Sequence, residues 1–278
     1  MTDHLFVEVI DDDAPDTGES RAEFLKKAIG AGGTIAFGGV LLGGLPSLVT
    51  AAPSAAQDAK ILNFALTLGA NVSLSAQPSA ALVARPKLPL PVEVRSEPAG
   101  PVVARLRGAT EFGSPLAFSV DRRSGRWVAV RTAAVPNGRI GWIDTAKTPL
   151  RFARTTLGIE VDLSRRLLVL RRGEVVLRRA VVATGRAGSP TPTGRFAVTD
   201  KLPGNRYGSY YGCCLLALSG TQPNVPAGWM GGNRLAIHGG PAGSIGKRAS
   251  AGCLRASPDD LGALMRLVPL GTPVTIRD

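Results

Sequence analysis

Histidine is the scarcest chemically active residue in this chain: there are two, His4 and His238. Cysteine is nearly as rare, and two of the three, Cys213 and Cys214, are adjacent. Three cysteines so placed do not build a disulfide framework, and the cysteines and histidines show no zinc-ligand spacing. Aromatics make up only 5% of the residues. There is no aromatic-and-basic platform and no helix-turn-helix pattern, so nucleic acid is not an expected partner. Long helices are disfavoured as well. The 34 glycines and 21 prolines interrupt the chain, and its apolar residues are mostly Val, Leu and Ala, which favours short strands and many turns.

Positive charge is plentiful. The formal net charge is +12, and arginine is spread along the 278 residues rather than gathered in one block. A basic surface suits any polyanion. For an exported protein the anionic cell wall is the simpler partner. Export is what the leader suggests. Residues 1–19 are acidic and turn-rich, and Ser20-Arg21-Ala22-Glu23-Phe24-Leu25-Lys26-Lys27 follows. From Ala28 to Gln57 there is no charge at all. A basic patch before an apolar run reads as a signal peptide or a membrane anchor. The patch is similar to a twin-arginine signal, with Ala22 where the second arginine belongs. Small residues at Thr50-Ala51-Ala52 and Ser54-Ala55-Ala56 offer cleavage sites, and residues 28–52 are long enough to span a bilayer if uncleaved. The sequence thus assigns residues 1–56 to a leader and places the protein in the cell wall or periplasm. Membrane contact is expected only through an uncleaved leader.

Residues 57–88 are expected to be a linker. Asp58 to Leu68 resembles the first helical turns of exported ferritin-like proteins, but no Glu-x-x-His pair follows, so a di-iron site is not supported. Residues 69–88 are small, polar and proline-containing. From Pro89 the pattern turns to short alternating runs: Val92–Val94, Val102–Leu106, Leu116–Val120, Arg126–Val130 and Arg139–Ile143. These predict a small five-stranded module over residues 89–150. It resembles a bacterial SH3-like barrel, most of all in Trp127-Val128-Ala129-Val130 and Gly141-Trp142-Ile143. Trp127 and Trp142 read as packing residues.

The third segment, residues 155–278, is again β-rich. Leu157–Asp162, Arg166–Leu170 and Glu174–Val182 read as strands joined by tight turns. A rigid Ser189-Pro190-Thr191-Pro192-Thr193-Gly194 loop follows. One helix is signalled near the end: Ser257 can cap it, Pro258 suits its first turn, and Asp259 and Asp260 complement its dipole. Cys213 and Cys214 precede an apolar strand. Adjacent strand residues face opposite ways, so a buried, inert thiol is the favoured reading there, with a vicinal disulfide or a bridge to another chain as the rarer options.

Cys253 lies downstream of His238, in Ser250-Ala251-Gly252-Cys253-Leu254-Arg255. A free thiol with a pKa near 8.5 is only about 3% thiolate at pH 7. Attack on an amide carbonyl therefore gains from a neighbouring base, and imidazole is the usual one. His4 belongs to the leader, so His238 is the base on offer. The imidazole needs orienting through its second nitrogen, and a carbonyl near Gly239 or a distant Asp would serve. Gly252 permits a sharp turn, and the N–H groups of Gly252 and Cys253 are the candidate oxyanion hole. Arg255 is a candidate bidentate clamp for a substrate carboxylate.

These residues resemble the L,D-transpeptidase catalytic domain family (YkuD-like), whose motif is a histidine, a short spacer, then Ser/Thr-His-Gly-Cys, a hydrophobic residue and Asn or Arg. His238, Ser250, Gly252, Cys253, Leu254 and Arg255 fit it. Thr184-Gly185, Thr191-Pro192-Thr193-Gly194-Arg195-Phe196, Ile237-His238-Gly239 and Gly271-Thr272-Pro273-Val274 match further habits of the family. Ala251 departs, standing where the second histidine usually sits. The resemblance implies a mainly β fold: an L,D-transpeptidase-type β-sandwich with one or two short helices, behind the SH3-like module. It also implies acyl transfer on peptidoglycan stem peptides, donor and acceptor. Cys253 would form a thioester with expulsion of D-alanine, and an acceptor amine would complete a 3→3 cross-link. Water as acceptor would give an L,D-carboxypeptidase or endopeptidase, and loss of turnover would leave a wall-binding protein. No metal or organic cofactor is needed. In the family the region of Tyr207 and Tyr210 borders the acyl-donor cleft, which makes both candidate substrate-binding residues. Trp229 and Met230 are weighed as a roof or as packing.

Overall fold

A computed structural model describes residues 80–226 and 232–278. The expected leader, most of the expected linker, and Trp229 and Met230 lie outside the described residues. Among the described residues no helix is long and apolar enough to cross a membrane.

Seven strands form the first sheet: β1 (Ala81–Pro86), β2 (Val92–Arg95), β3 (Val102–Leu106), β4 (Phe118–Ser124), β5 (Trp127–Arg131), β6 (Gly141–Asp144) and β7 (Leu150–Thr155). Their spatial order is β3-β2-β6-β5-β4-β1-β7. Alternation decides which side chains go in: Val92 and Val94 are buried while Glu93 and Arg95 between and after them are half-exposed. Ala84, Val92, Phe118, Val128, Val130, Ile143 and Leu150 share one apolar cluster. Trp142 is buried with the Arg122 guanidinium 5.1 Å above its ring, and Trp127 is half-buried under Arg126. Ala81–Pro86 departs from the expected linker. It is a strand because β7 pairs with it along its whole length, from Ala81↔Thr155 to Pro86↔Leu150. That partner lies far along the chain, so local composition gives no sign of it.

The second sheet is built from β8 (Leu157–Asp162), β9 (Leu167–Arg172), β10 (Val175–Val181), β12 (Gly194–Pro203), β13 (Cys214–Thr221), β14 (Arg234–His238), β16 (Leu254–Arg255) and β17 (Pro273–Arg277). Its order is β10-β9-β8-β17-β12-β13-β14-β16. A two-stranded ladder joins β11 (Thr184–Gly185) to β15 (Arg248–Ser250). The fold is mainly β, with one α-helix among the described residues, α1 (Pro258–Leu267).

Helix α1 starts where the sequence puts it. The Ser257 hydroxyl accepts from the Asp260 N–H at 3.2 Å, and Pro258 occupies the first turn. Asp260 also accepts from Arg178 of β10 at 2.6 Å, tying the helix to the sheet. Leu261 and Leu264 are fully buried with Leu216, Leu218, Leu235, Ile237 and Leu254 in the main core. That core covers one face of β13, β14 and β16, and the opposite face of β14 carries Ala236 and His238.

Candidate active site

Register alone brings the scarce residues together. On β14 and β13, His238 lies opposite Leu215 and Ala236 opposite Ala217. On β14 and β16, which run parallel, Ile237 lies beside Leu254 and His238 beside Arg255. Side chains alternate along a strand, so Leu235 and Ile237 enter the main core and Ala236 and His238 face the other way. Leu254 enters the core with Ile237, which turns Arg255 onto the face of His238. Cys253 lies in the bend just before β16 and packs against Tyr211, Leu215, Ala217 and Ala236, on the side of β14 that Ala236 and His238 face.

His238 is only 3% exposed. Burial pushes its pKa from 6.5 down to about 4, and a hydrogen bond to the Gly239 backbone acts the other way. Its Nδ1 is buried without a hydrogen-bond partner. Two rings frame the imidazole, Tyr211 at 4.9 Å and Tyr210 at 6.0 Å between centroids. The Gly239 N–H donates to the Tyr211 carbonyl at 2.9 Å. A Cβ on Gly239 would sit 2.8 Å from that same oxygen, which explains the glycine.

Cys253 is a free thiol with partial exposure. Its Sγ lies 3.8 Å from the Arg234 carbonyl, to which it donates. Burial pushes the thiol up from 9.0 to about 11, against a weaker opposing hydrogen bond with the Ala236 backbone. At pH 7 both partners rest neutral. Burial thus shifts the two groups in opposite directions, each toward its neutral form.

The turn before Cys253 is held from several sides. Ser250 Oγ donates to the Cys253 carbonyl at 2.5 Å and accepts from the Gly252 N–H at 3.1 Å. Gly252 has φ +120°, a conformation that L side chains rarely adopt. The expected oxyanion hole is corrected on one point: the Gly252 N–H is already committed to Ser250. Gln222 supplies a second brace, its Nε2 donating to the Ala251 carbonyl at 2.9 Å and to the Pro190 carbonyl at 3.0 Å. Nearby, the Gly185 N–H donates to Thr191 Oγ1 at 2.8 Å, and the Arg186 N–H to the Ser250 carbonyl at 2.9 Å.

Residues 157–276 match the family model described as the L,D-transpeptidase catalytic domain, YkuD. Among curated relatives, the chain is 34% identical over 122 residues to the Bacillus subtilis (strain 168) protein named "Putative L,D-transpeptidase YkuD", covering 42% of this chain and 64% of that one. It is 35% identical over 107 residues to "Putative L,D-transpeptidase YqjB" of the same organism, covering 35% and 57%. The match thus spans less than two thirds of each relative. Among solved structures, an L,D-transpeptidase from Mycobacterium smegmatis aligns at TM-score 0.38 and 18% identity, over 68% of this chain and all of that one. Bdellovibrio bacteriovorus Bd1075 aligns at TM-score 0.36 and 24% identity, over 45% and 48%.

Within the matched segment, Arg255 differs from the expected clamp. It is 2% exposed, its guanidinium donates to the Tyr210 hydroxyl, and it stacks 5.0 Å from that ring. It sets the position of Tyr210 instead of meeting solvent. Tyr210 borders the His238 ring, and Tyr207, half-buried edge-to-face against Phe112 at 6.5 Å, packs on the same cluster as Tyr210 and Cys253. Burial raises the Tyr207 pKa. The favoured buried, inert thiol gives way to the rarer option, a vicinal disulfide that joins Cys213 and Cys214. The strand begins only at Cys214, so Cys213 lies in the turn before it and strand alternation does not separate the two sulfurs.

Sequence reasoning missed Gln222 and Arg234. Neither stands in a motif, and each acts through partners distant in the chain. Arg234 is 6% exposed, and its guanidinium donates to the Leu218 carbonyl, Thr199 Oγ1 and Glu111.

Proposed function

We propose that the protein is a peptidoglycan L,D-transpeptidase that works outside the cytoplasmic membrane and forms 3→3 cross-links through an acyl-enzyme on Cys253. The observation that carries this is the shared face of His238 and Cys253, with Nδ1 of the histidine left unpartnered. In the proposed reaction His238 Nδ1 takes the thiol proton as Sγ adds to the carbonyl of the L-configured centre of a donor tetrapeptide. The tetrahedral oxyanion collapses, the C–N bond breaks, and D-alanine leaves with the proton from His238. A side-chain amine of a second stem then attacks the thioester, gives its proton to the imidazole, and the thiol is restored.

The neutral resting pair suits this sequence. A thiol raised by burial rests protonated, which favours proton transfer in step with attack on the carbonyl. Tyr210, held by Arg255, borders the donor. The basic character of the chain favours an anionic wall, and the charge-free run from Ala28 to Gln57 behind a basic patch supports export.

The test is product analysis. Full-length protein incubated with defined disaccharide-tetrapeptides is expected to yield 3→3-linked dimers and free D-alanine by mass spectrometry. Trimmed monomers alone would assign the same chemistry to a carboxypeptidase. Binding to sacculi without any turnover would leave a wall-binding protein.

A further inference from the structure

One loop of the first sheet reaches the chemically active face of the second. It connects β3 to β4 and is closed by the Ala109↔Pro115 bridge. Inside it the Thr110 N–H donates to the Ser114 carbonyl at 2.9 Å and the Gly113 N–H to the Thr110 carbonyl at 3.0 Å. Thr110 Oγ1 accepts from the Phe112 and Ser114 N–H groups. The loop is therefore shaped by its own hydrogen bonds before it meets anything else.

Its side chains grip residues of the catalytic sheet. Thr110 Oγ1 donates to Asp200 of β12, a carboxylate with no exposure at all, whose other oxygen has no partner. Glu111 pairs with Arg234 of β14. The Arg234 guanidinium also lies 5.7 Å from the Phe112 ring. Removing the loop would strip the buried Asp200 of its hydroxyl donor and Arg234 of its counter-charge, each a costly loss inside a protein. The loop is thus a fixed part of this face.

Phe112 keeps partial exposure, with its edge against Tyr207. It packs on the cluster of Leu202, Tyr211, Leu215, Ala217 and Ala236, and the same cluster carries Tyr210 and Cys253. We propose that Phe112, a residue of the N-terminal module, forms one wall of the cleft that receives the donor peptide at Cys253 and sets preference for the aliphatic part of that peptide. This rests on the transpeptidase reading above. It makes the N-terminal module a component of the acyl-donor site.

The test uses the full chain as wild type, Phe112→Ala and Phe112→Leu, with two probes. A disaccharide-tetrapeptide donor needs the cleft, while iodoacetamide needs only an accessible thiol. Covalent modification of Cys253 is followed by mass spectrometry. Phe112→Ala is expected to slow acylation by the donor about tenfold, the value of one lost apolar contact in a pocket. Alkylation should stay within about twofold, and Phe112→Leu should recover most of the donor rate. Unchanged donor acylation in Phe112→Ala overturns the inference alone, as does equal slowing toward both probes, which marks a structural role. A wild type that is alkylated but never acylated overturns the transpeptidase reading and this inference with it.

Discussion

Gln222 holds Ala251 by its backbone: Nε2 of the glutamine donates to the alanine carbonyl at 2.9 Å. The same nitrogen holds Pro190, and Oε1 accepts from the Asn224 N–H at 3.0 Å. One buried amide thereby joins the Thr-Pro-Thr-Gly loop to the turn that presents Cys253. Position 251 is where the L,D-transpeptidase motif that this segment resembles has a histidine, and here Gln222 shares the bracing of the turn with Ser250.

Gln222→Ala should leave the Ala251 and Pro190 carbonyls without this donor, at a cost of about 1–3 kcal/mol. Thermal unfolding is expected to shift down accordingly, and acylation of Cys253 to slow about tenfold as the turn loosens. Full activity in a variant with lowered melting temperature would separate the brace from the chemistry.

The pH dependence of stability has two limbs. His238 titrates near 6.5 when unfolded and about 4 when folded. Between those values the unfolded chain binds the extra proton, so stability falls as pH drops from about 6.5 to about 4. Cys253 titrates near 9.0 unfolded and about 11 folded. Between those values the folded chain keeps a proton that the unfolded chain has lost, so stability falls as pH rises from about 9 to about 11. Melting temperature measured against pH should flatten on the acid side in His238→Ala and on the alkaline side in Cys253→Ala. An acid limb that survives His238→Ala would assign it to carboxylates instead.

Ser257→Ala removes the cap of α1 at a distance from the thiol. It should cost about 1 kcal/mol of stability and leave the alkylation rate of Cys253 unchanged. Urea unfolding and alkylation on the same samples check both halves, and a slowed alkylation would mean that the helix end positions the turn.

Much of this architecture is readable from the residues themselves. The strands at Val92–Arg95, Val102–Leu106 and Leu157–Asp162 follow from local alternation, and α1 follows from Ser257, Pro258 and the two aspartates. What escapes is whatever depends on distant pairing. Ala81–Pro86 looks like linker until β7 lies beside it. The shared face of His238 and Cys253 requires the β14–β16 register, which no spacing in the chain specifies. Arg255 looks like a substrate clamp because arginine is rarely buried, and only the packed Tyr210 ring shows where it goes. Gln222, Arg234 and Phe112 carry no motif, and each matters through several partners that only the fold brings close.

The proposed role of Cys253 as a nucleophile served by His238 is open to intact-protein mass spectrometry after incubation with a tetrapeptide donor at pH 7. One acyl adduct on Cys253 is expected, absent in Cys253→Ala and formed about 10²–10⁴-fold more slowly in His238→Ala. No adduct on the wild type, or an equal rate in His238→Ala, would contradict it.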